Sequence, residues 1–426
     1  MDPDRHTPCP GSGSSSFHLR DGALWCEEAP VSELASRFGT PLYVYSSATM
    51  AERYRAVRNA FGADAHVCYA VKANSNLSVL RHFAALGAGF DLVSGGEMQR
   101  LRAAGVPTRG AVFAGVAKQS WEVEAAMDAG ILMFQVESPH EVALLEAAGA
   151  RRGVRVPVGV RLNPDVDPGT HAYISTGRKD SKFGTDISRA GELVDRIAGS
   201  AHLSLQGYHV HLGSQLLSTA PYLEAFDRVA AFMAGSPRRR EGVRFYNLGG
   251  GFGIGYGKGQ PLDVAALAEA LLPRIRSLGL TPIVEPGRYL VGDAGILVTS
   301  VLGEKQSGTT HYLLVDAAMN DLLRPSLYQA EHPLLPVHPR GRAAARYDVV
   351  GPVCESGDFL ARGRELERLE PGELLAVLGT GAYGSSMASH YNTRRRPAEV
   401  LVCGATVQLV RRREPLERLW ADEVDL

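Results

Sequence analysis

Cysteine is scarce and unpatterned in this chain: Cys9, Cys26, Cys68, Cys354 and Cys403 are odd in number, scattered, and form no C-x-x-C pair. Such spacing points to neither a disulfide framework nor a zinc site, and a reducing, cytoplasmic setting is expected. Excess charge of either sign is also lacking. Lys and Arg number 45 against 46 Asp and Glu, a net of −1, so neither nucleic acid nor a membrane surface is an expected partner. The short clusters Arg238 to Arg240, Arg394 to Arg396 and Arg411 to Arg413 read as solvated faces. No apolar run reaches membrane-spanning length, and the polar start MDPDRHTPCPGSGSSS has no signal-peptide core. Residues 1–16 are expected to be a disordered tail. No unit repeats at a fixed period.

What is present is an ordinary globular composition, 45% hydrophobic over 426 residues, too long for one core and predicting a large domain with a second module. Eight short apolar segments read as strands: HVCYAVKA (66–73), GFDLVS (89–94), AVFAGV (111–116), MFQVES (133–138), PVGVRLN (157–163), LQGYHVHLG (205–213), VRFYNLGG (243–250) and TPIVEPG (281–287). Between them lie helical segments such as GGEMQRLRAAG and PHEVALLEAAG, several ending in glycine. The alternation predicts right-handed β-α-β units and, with eight strands, a closed (β/α)8 barrel; an open doubly wound sheet is the alternative that the pattern allows. From about residue 295 the segments turn strand-rich, as in THYLLVDA, RYDVVGPVC and ELLAVLGTG, predicting an antiparallel β domain. FHLRDGALWCEEA reads as a hairpin with Asp21-Gly22 at its turn, joining that domain. The expected division is 17–43 for N-terminal strands of the β domain, 44–294 for the barrel and 295–426 for the C-terminal β domain.

Barrel enzymes do their chemistry at the C-terminal ends of the strands. Here those ends carry Lys72, Asp91, Arg161, His209, His211, Gly249-Gly250-Gly251, and Glu285 with Arg288. Any one alone is unremarkable, since a lone strand-end lysine is usually solvated and a glycine run is usually a turn. Together they suit a phosphorylated aromatic cofactor. Glycines let backbone N–H groups approach a phosphate, a lysine can form a Schiff base, a carboxylate can keep a ring nitrogen protonated, and an imidazole can stack on a ring.

YAVKAN, HVHLGSQ, NLGGGFG, VEPGR, VGPVCESGD and GAYG, in this order, resemble the fold type III (alanine-racemase-like) pyridoxal-phosphate decarboxylases, from about Phe17 to the C-terminus. Within that group HAYISTGRKDSKFG, MNDLLRPSLY, CESGDFLA and SHYNTRRRPAEVLV resemble the diaminopimelate decarboxylases. The resemblance implies a barrel followed by a β domain, with pyridoxal 5′-phosphate as cofactor and no metal. It implies Lys72 as the Schiff-base lysine, His211 as the ring-stacking residue and His209 as its support. Ser214 and Gly249 to Gly251 match phosphate contacts, Glu285 the pyridine partner, and Asp91, Arg161, Gly287 and Arg288 further cofactor positions. Cys354 matches the proton donor that returns a proton to the α-carbon once CO2 has left. Tyr383 matches a residue touching the cofactor where two subunits meet, implying a homodimer with shared active sites.

The implied reaction converts meso-2,6-diaminopimelate to L-lysine and CO2, the last step of lysine biosynthesis. Arg288 and Arg324 match distal-carboxylate positions, which suits the planar guanidinium fork. Tyr328, Glu355 and Tyr383 match neighbouring substrate positions. The ornithine-type relatives have aspartates where this chain has Gln329 and Glu355. Alternatives that share most of these motifs are an ornithine- or arginine-type decarboxylase, a specialised-metabolism decarboxylase of another carboxylate-bearing amino acid, a racemase, and a non-catalytic regulator. Two departures stand out: Ala117 where relatives tend to have glycine, and Cys403 in place of an acidic residue.

Overall fold

The computed structural model describes residues 16–167 and 182–424. The tail expected over 1–16 lies, Ser16 apart, outside the described residues, as does the 171–181 part of HAYISTGRKDSKFG. The chain divides into two compact units. One holds Tyr54–Ile254 and Gln260–Tyr289; the other holds the described residues up to Arg53, Gly255–Gly259, and those from Leu290 onward.

The first unit contains a barrel of eight parallel strands. These are β1 (His66–Ala70), β2 (Gly89–Leu92), β3 (Val112–Phe113), β4 (Met133–Val136), β5 (Val156–Asn163), β6 (Leu203–His209), β7 (Phe245–Asn247) and β8 (Thr281–Val284). Each pairs with the next, and β8 returns to β1 through Ile283↔His66 and Val284↔Val67, which closes the sheet and rules out the open alternative. All eight predicted strands are present. Cys68, Val112, Met133, Phe245 and Ile283, from five of them, form one buried apolar cluster. Intervening helices start where a side chain satisfies a free N–H: Asn76, Ser94, Ser138 and Asp263 each accept from the backbone of the first turn. Gly105 and Gly153 end two of them in the left-handed conformation.

In the second unit the long strand Gly295–Ser307 is central. Its first half lies between Leu42–Ser46 and Leu374–Val377, and its second half pairs with Thr310–Val315. The pairing is largely antiparallel, as expected, but two neighbours run parallel: Thr310–Val315 with Ala344–Val350, and Leu42–Ser46 with Ala398–Cys403. The N-terminal hairpin forms as read, with Arg20 opposite Ala23 and both Asp21 (φ 51°) and Gly22 (φ 73°) in the conformation a tight two-residue turn needs. Its Leu24 and Cys26 enter the core with Val298, Ala376 and Val400. Cys26, Cys68 and Cys354 are free thiols. Among the described residues no helix is long and apolar enough to cross a membrane, and no cluster of His, Cys, Asp and Glu could hold a metal.

Candidate active site

Strand register assembles the barrel rim. Arg161, His209 and Asn247 are partner positions on β5, β6 and β7, and Asp91 stands opposite Ala70. Lys72 follows β1 in a one-turn 3-10 helix, Val71–Ala73. Its Nζ lies 3.3 Å from Asp91 Oδ2, with the lysine side chain one-third exposed and the aspartate buried. Gly287 packs against this turn, where a Cβ would come within 3.0 Å of the Ala73 Cβ.

Glu285, one residue past β8, is fully enclosed. Its Oε2 lies 3.2 Å from His209 Nε2, and its Oε1 accepts from Asn247 Nδ2 at 2.5 Å. Burial opposes ionisation, but His209, Lys72 and Asn247 outweigh it and hold the carboxyl well below the usual range. Asp91 moves the other way: burial pushes it up and Lys72 only partly compensates. His211 is held neutral by burial and by the positive charges of Lys72 and Arg161, and its Nδ1 accepts the Gly250 N–H at 3.2 Å. Arg161 lies 3.6 Å from buried Glu137, itself fixed by the Gly184 N–H at 2.6 Å.

The glycine run follows β7. Gly249 (φ 70°) donates to Asn247 Oδ1 at 2.9 Å; a Cβ on Gly249 would sit 2.4 Å from the Val210 carbonyl, and one on Gly250 2.1 Å from that of Glu285. No side chain fits at either position. Beside it Arg288 donates to Ser214 Oγ from Nη2 at 2.8 Å and from Nε at 3.2 Å. Ala117 takes φ 57°, in the left-handed region that glycine adopts more readily than alanine. The neighbouring Lys118 is buried on three acceptors, the Gly115 and Gln135 carbonyls and Glu141.

This rim fits a pyridoxal-type cofactor. A carboxylate kept ionised is available for a pyridinium nitrogen, a neutral imidazole for a ring face, and a closely approachable glycine loop for a phosphate. Asp91 Oδ1 is buried with no hydrogen-bond partner, as expected of an atom whose partner belongs to a bound group.

The second unit gathers the other predicted residues. Cys354 and Glu355 are exposed on the loop between Ala344–Val350 and Ala361–Glu367. That loop is tied down from three sides. Asn392 Oδ1 accepts the Cys354 N–H at 2.7 Å, and Tyr391 donates to Glu355 at 3.2 Å. Asp358 takes the N–H groups of Met319 and Val353 at 2.7 and 2.8 Å. Ser326 donates to the Gly357 carbonyl at 2.6 Å, joining the loop to the short helix Arg324–Tyr328. Arg324 is buried and Tyr328 half-buried; Tyr383 takes φ 56° in the loop after Leu374–Val377. Asn247, Glu137, Asn392 and His332 carry geometry that the sequence did not single out. Asn247 and Asn392 lay in the motifs NLGGGFG and SHYNTRRRPAEVLV, and Glu137 in the strand segment MFQVES, whereas His332 lay in none.

Residues 47–292 match the family described as pyridoxal-dependent decarboxylase, pyridoxal binding domain. The diaminopimelate decarboxylase of Aquifex aeolicus is 44% identical over 414 residues, covering 96% of this chain and 98% of its own. That of Pseudomonas fluorescens is 47% identical over 410 residues with the same coverage. The crystal structure of diaminopimelate decarboxylase from Helicobacter pylori complexed with L-lysine is 40% identical, covers 92% of this chain and 98% of that chain, and superposes with a TM-score of 0.88. With its barrel closed, its rim assembled and these likenesses running nearly end to end, the chain belongs to the diaminopimelate decarboxylase family of pyridoxal-dependent decarboxylases.

Proposed function

We propose that this chain, with pyridoxal 5′-phosphate bound at the barrel rim, removes one carboxyl group of meso-2,6-diaminopimelate to give L-lysine and CO2. The observation that carries the reading is Glu285, a buried carboxylate held ionised between His209 and Asn247 on the rim that bears Lys72. Lys72 would anchor the cofactor covalently, Glu285 would pair with its ring nitrogen, and His211 would cover a ring face. Asp91, Arg161 and Gly287 would complete the cofactor's surroundings, while Ser214, Gly249 to Gly251 and Arg288 would hold the phosphate end. When bound, the cofactor supplies an electron sink for the pair left on the α-carbon as CO2 departs.

Cys354 would deliver its thiol proton to that carbon, so a C–H bond replaces the broken C–C bond, and the thiolate left behind would take a proton from solvent before the next turnover. Arg324, with Arg288 and Tyr328 near it in role, binds the distal carboxylate; Glu355 takes the distal ammonium and Tyr383 closes on cofactor and substrate. Two copies of the chain form a homodimer, each giving its Cys354 loop to the other's barrel. The exposure of Cys354 and Glu355 supports this. The reducing cytoplasm suits a proton donor that must stay a free thiol.

The test is CO2 release from meso-diaminopimelate, ornithine, lysine, arginine and glutamate by the cofactor-loaded protein. Release from diaminopimelate with L-lysine as product is expected. Preference for ornithine or arginine would overturn the substrate assignment.

A further inference from the structure

We propose that His332 is a positioning residue for the substrate: its neutral imidazole, fixed in one tautomer, holds the Arg324 guanidinium ready for the distal carboxylate. This rests on the reading of Arg324 just given. His332 Nε2 lies 2.8 Å from Arg324 Nη1, and His332 Nδ1 lies 2.8 Å from the Leu378 carbonyl oxygen. The guanidinium can only donate and the carbonyl can only accept. Both contacts are therefore satisfied by a single state, with the proton on Nδ1 and the lone pair on Nε2. A protonated ring would set N–H against N–H.

The surroundings reinforce that geometry. His332 and Arg324 are both buried, at 1% and 5% exposure, so neither has room to exchange this contact for bulk water. The Tyr256 ring lies under the guanidinium, 4.8 Å from ring centre to Cζ, and meets the His332 ring edge-on at 5.2 Å. Gln329, at φ 52°, ends the Arg324–Tyr328 helix and turns the chain so that a residue eight positions on lies beside the first. The Leu378 N–H donates to the Pro333 carbonyl at 2.9 Å, so Leu378 grips this segment twice. Glu331 adds ion pairs to Arg364, at 2.8 Å, and to Lys258.

The choice of an imidazole is chemically pointed. A carboxylate at position 332 would bind the guanidinium more strongly but would neutralise it, leaving less attraction for an incoming carboxylate. A neutral acceptor fixes direction and leaves the charge for the ligand. His332 touches neither the reacting carbon nor the cofactor in this assignment; it acts through Arg324.

Two substitutions separate its two contacts. In H332N the short amide can still donate to the Leu378 carbonyl but does not reach Arg324. In H332Q the longer amide carries its oxygen to where Nε2 stood. The assays, on cofactor-loaded enzyme, are kcat and KM for meso-diaminopimelate and inhibition constants for L-lysine and 1,5-diaminopentane. L-lysine keeps the carboxylate that Arg324 would bind, and 1,5-diaminopentane lacks it. H332N should raise KM and the L-lysine constant about tenfold or more, with kcat lowered less than about threefold and the diamine constant unchanged. H332Q should stay within about threefold of wild type on every measure. An unaltered L-lysine constant in H332N, or equal weakening of both inhibitors, would overturn the proposal. If H332N melts early or fails to take up cofactor, H332Q decides: a near-normal KM upholds the proposal and a tenfold rise rejects it. R324A, assayed beside them, guards the premise. If it leaves KM unchanged, or if wild type releases no CO2 from diaminopimelate, the reading of Arg324 itself falls, and this inference with it.

Discussion

Asn247 bridges Glu285 and the glycine loop: its Nδ2 donates to Glu285 Oε1 at 2.5 Å while its Oδ1 takes the Gly249 N–H at 2.9 Å. On the roles proposed for Glu285 and the glycine loop, one amide would set both the carboxylate for the cofactor's ring nitrogen and the backbone for its phosphate. Asn247→Ala leaves two buried groups short of a partner, at about 1–3 kcal/mol each. The dissociation constant for pyridoxal 5′-phosphate, followed by absorbance titration, should rise about tenfold or more. Unchanged affinity would show that the bridge is dispensable.

Lys72→Ala should abolish turnover, because no other described lysine replaces the Nζ beside Asp91 on this rim. Borohydride treatment of the wild-type enzyme should fix the cofactor to the peptide containing Lys72, and mass spectrometry should find none fixed in the variant. Full steady-state activity in the variant would reject Lys72 as the anchor.

Arg324→Ala should damage use of diaminopimelate while leaving cofactor occupancy intact. An unpaired distal carboxylate in a buried pocket costs on the order of 2–5 kcal/mol, to be read from kcat/KM beside the absorbance titration. Parallel loss of both would mean that the substitution had disturbed more than the substrate.

Mixing tests the shared site. Lys72→Ala and Cys354→Ala should each be nearly inactive, yet co-expression in equal amounts should restore roughly a quarter of wild-type activity. Half of randomly paired dimers are mixed, and each of those has one intact site of two. Tagged mixed dimers that remain inactive would place Lys72 and Cys354 of one site in the same chain.

Asp321 gives a pH signature in the second unit. Burial pushes its carboxyl up to about 7, opposed only in part by the Ala318 N–H and Arg394. An unfolded aspartate titrates near ~3.9. Between those values the native state holds more protons than the unfolded one, so stability falls as pH rises and the deficit is complete above pH 7. Asp321→Asn removes the ionisation. From pH 5 to 8 the wild-type Tm should drop at least ~2 °C further than that of the variant in calorimetry. Equal drops would show that Asp321 does not carry the effect.

The barrel was legible because buried parallel strands are short apolar runs between helices of different period, and the eight runs marked every strand. The hairpin at Asp21-Gly22 was legible because a two-residue turn fixes its own register. Thr310–Val315 beside Ala344–Val350 was not: strands far apart in sequence carry no local signal of parallel or antiparallel pairing. The rim's ionisable groups stood out by type and by position at strand ends. Asn247 was overshadowed by the glycines after it, and its role depends on two hydrogen bonds made in opposite directions. His332 was invisible for a related reason. Nothing in LYQAEHP marks a histidine whose meaning comes from a carbonyl at Leu378 and a guanidinium eight residues back.

Leu42–Ser46 has a consequence for synthesis. This strand lies between Gly295–Ser307 and Ala398–Cys403, so the ribosome makes it long before either neighbour. The second of them emerges roughly 350 residues later, a wait of about 20–70 s at ~5–20 residues per second. Until Gly295–Ser307 is made, LYVYS, buried at every position in the finished sheet, has both edges unpaired, and one edge stays unpaired for the rest of that interval. The nascent chain must therefore shelter an adhesive segment at its leading end, and chaperone demand should peak before the last strands appear and fall once they dock.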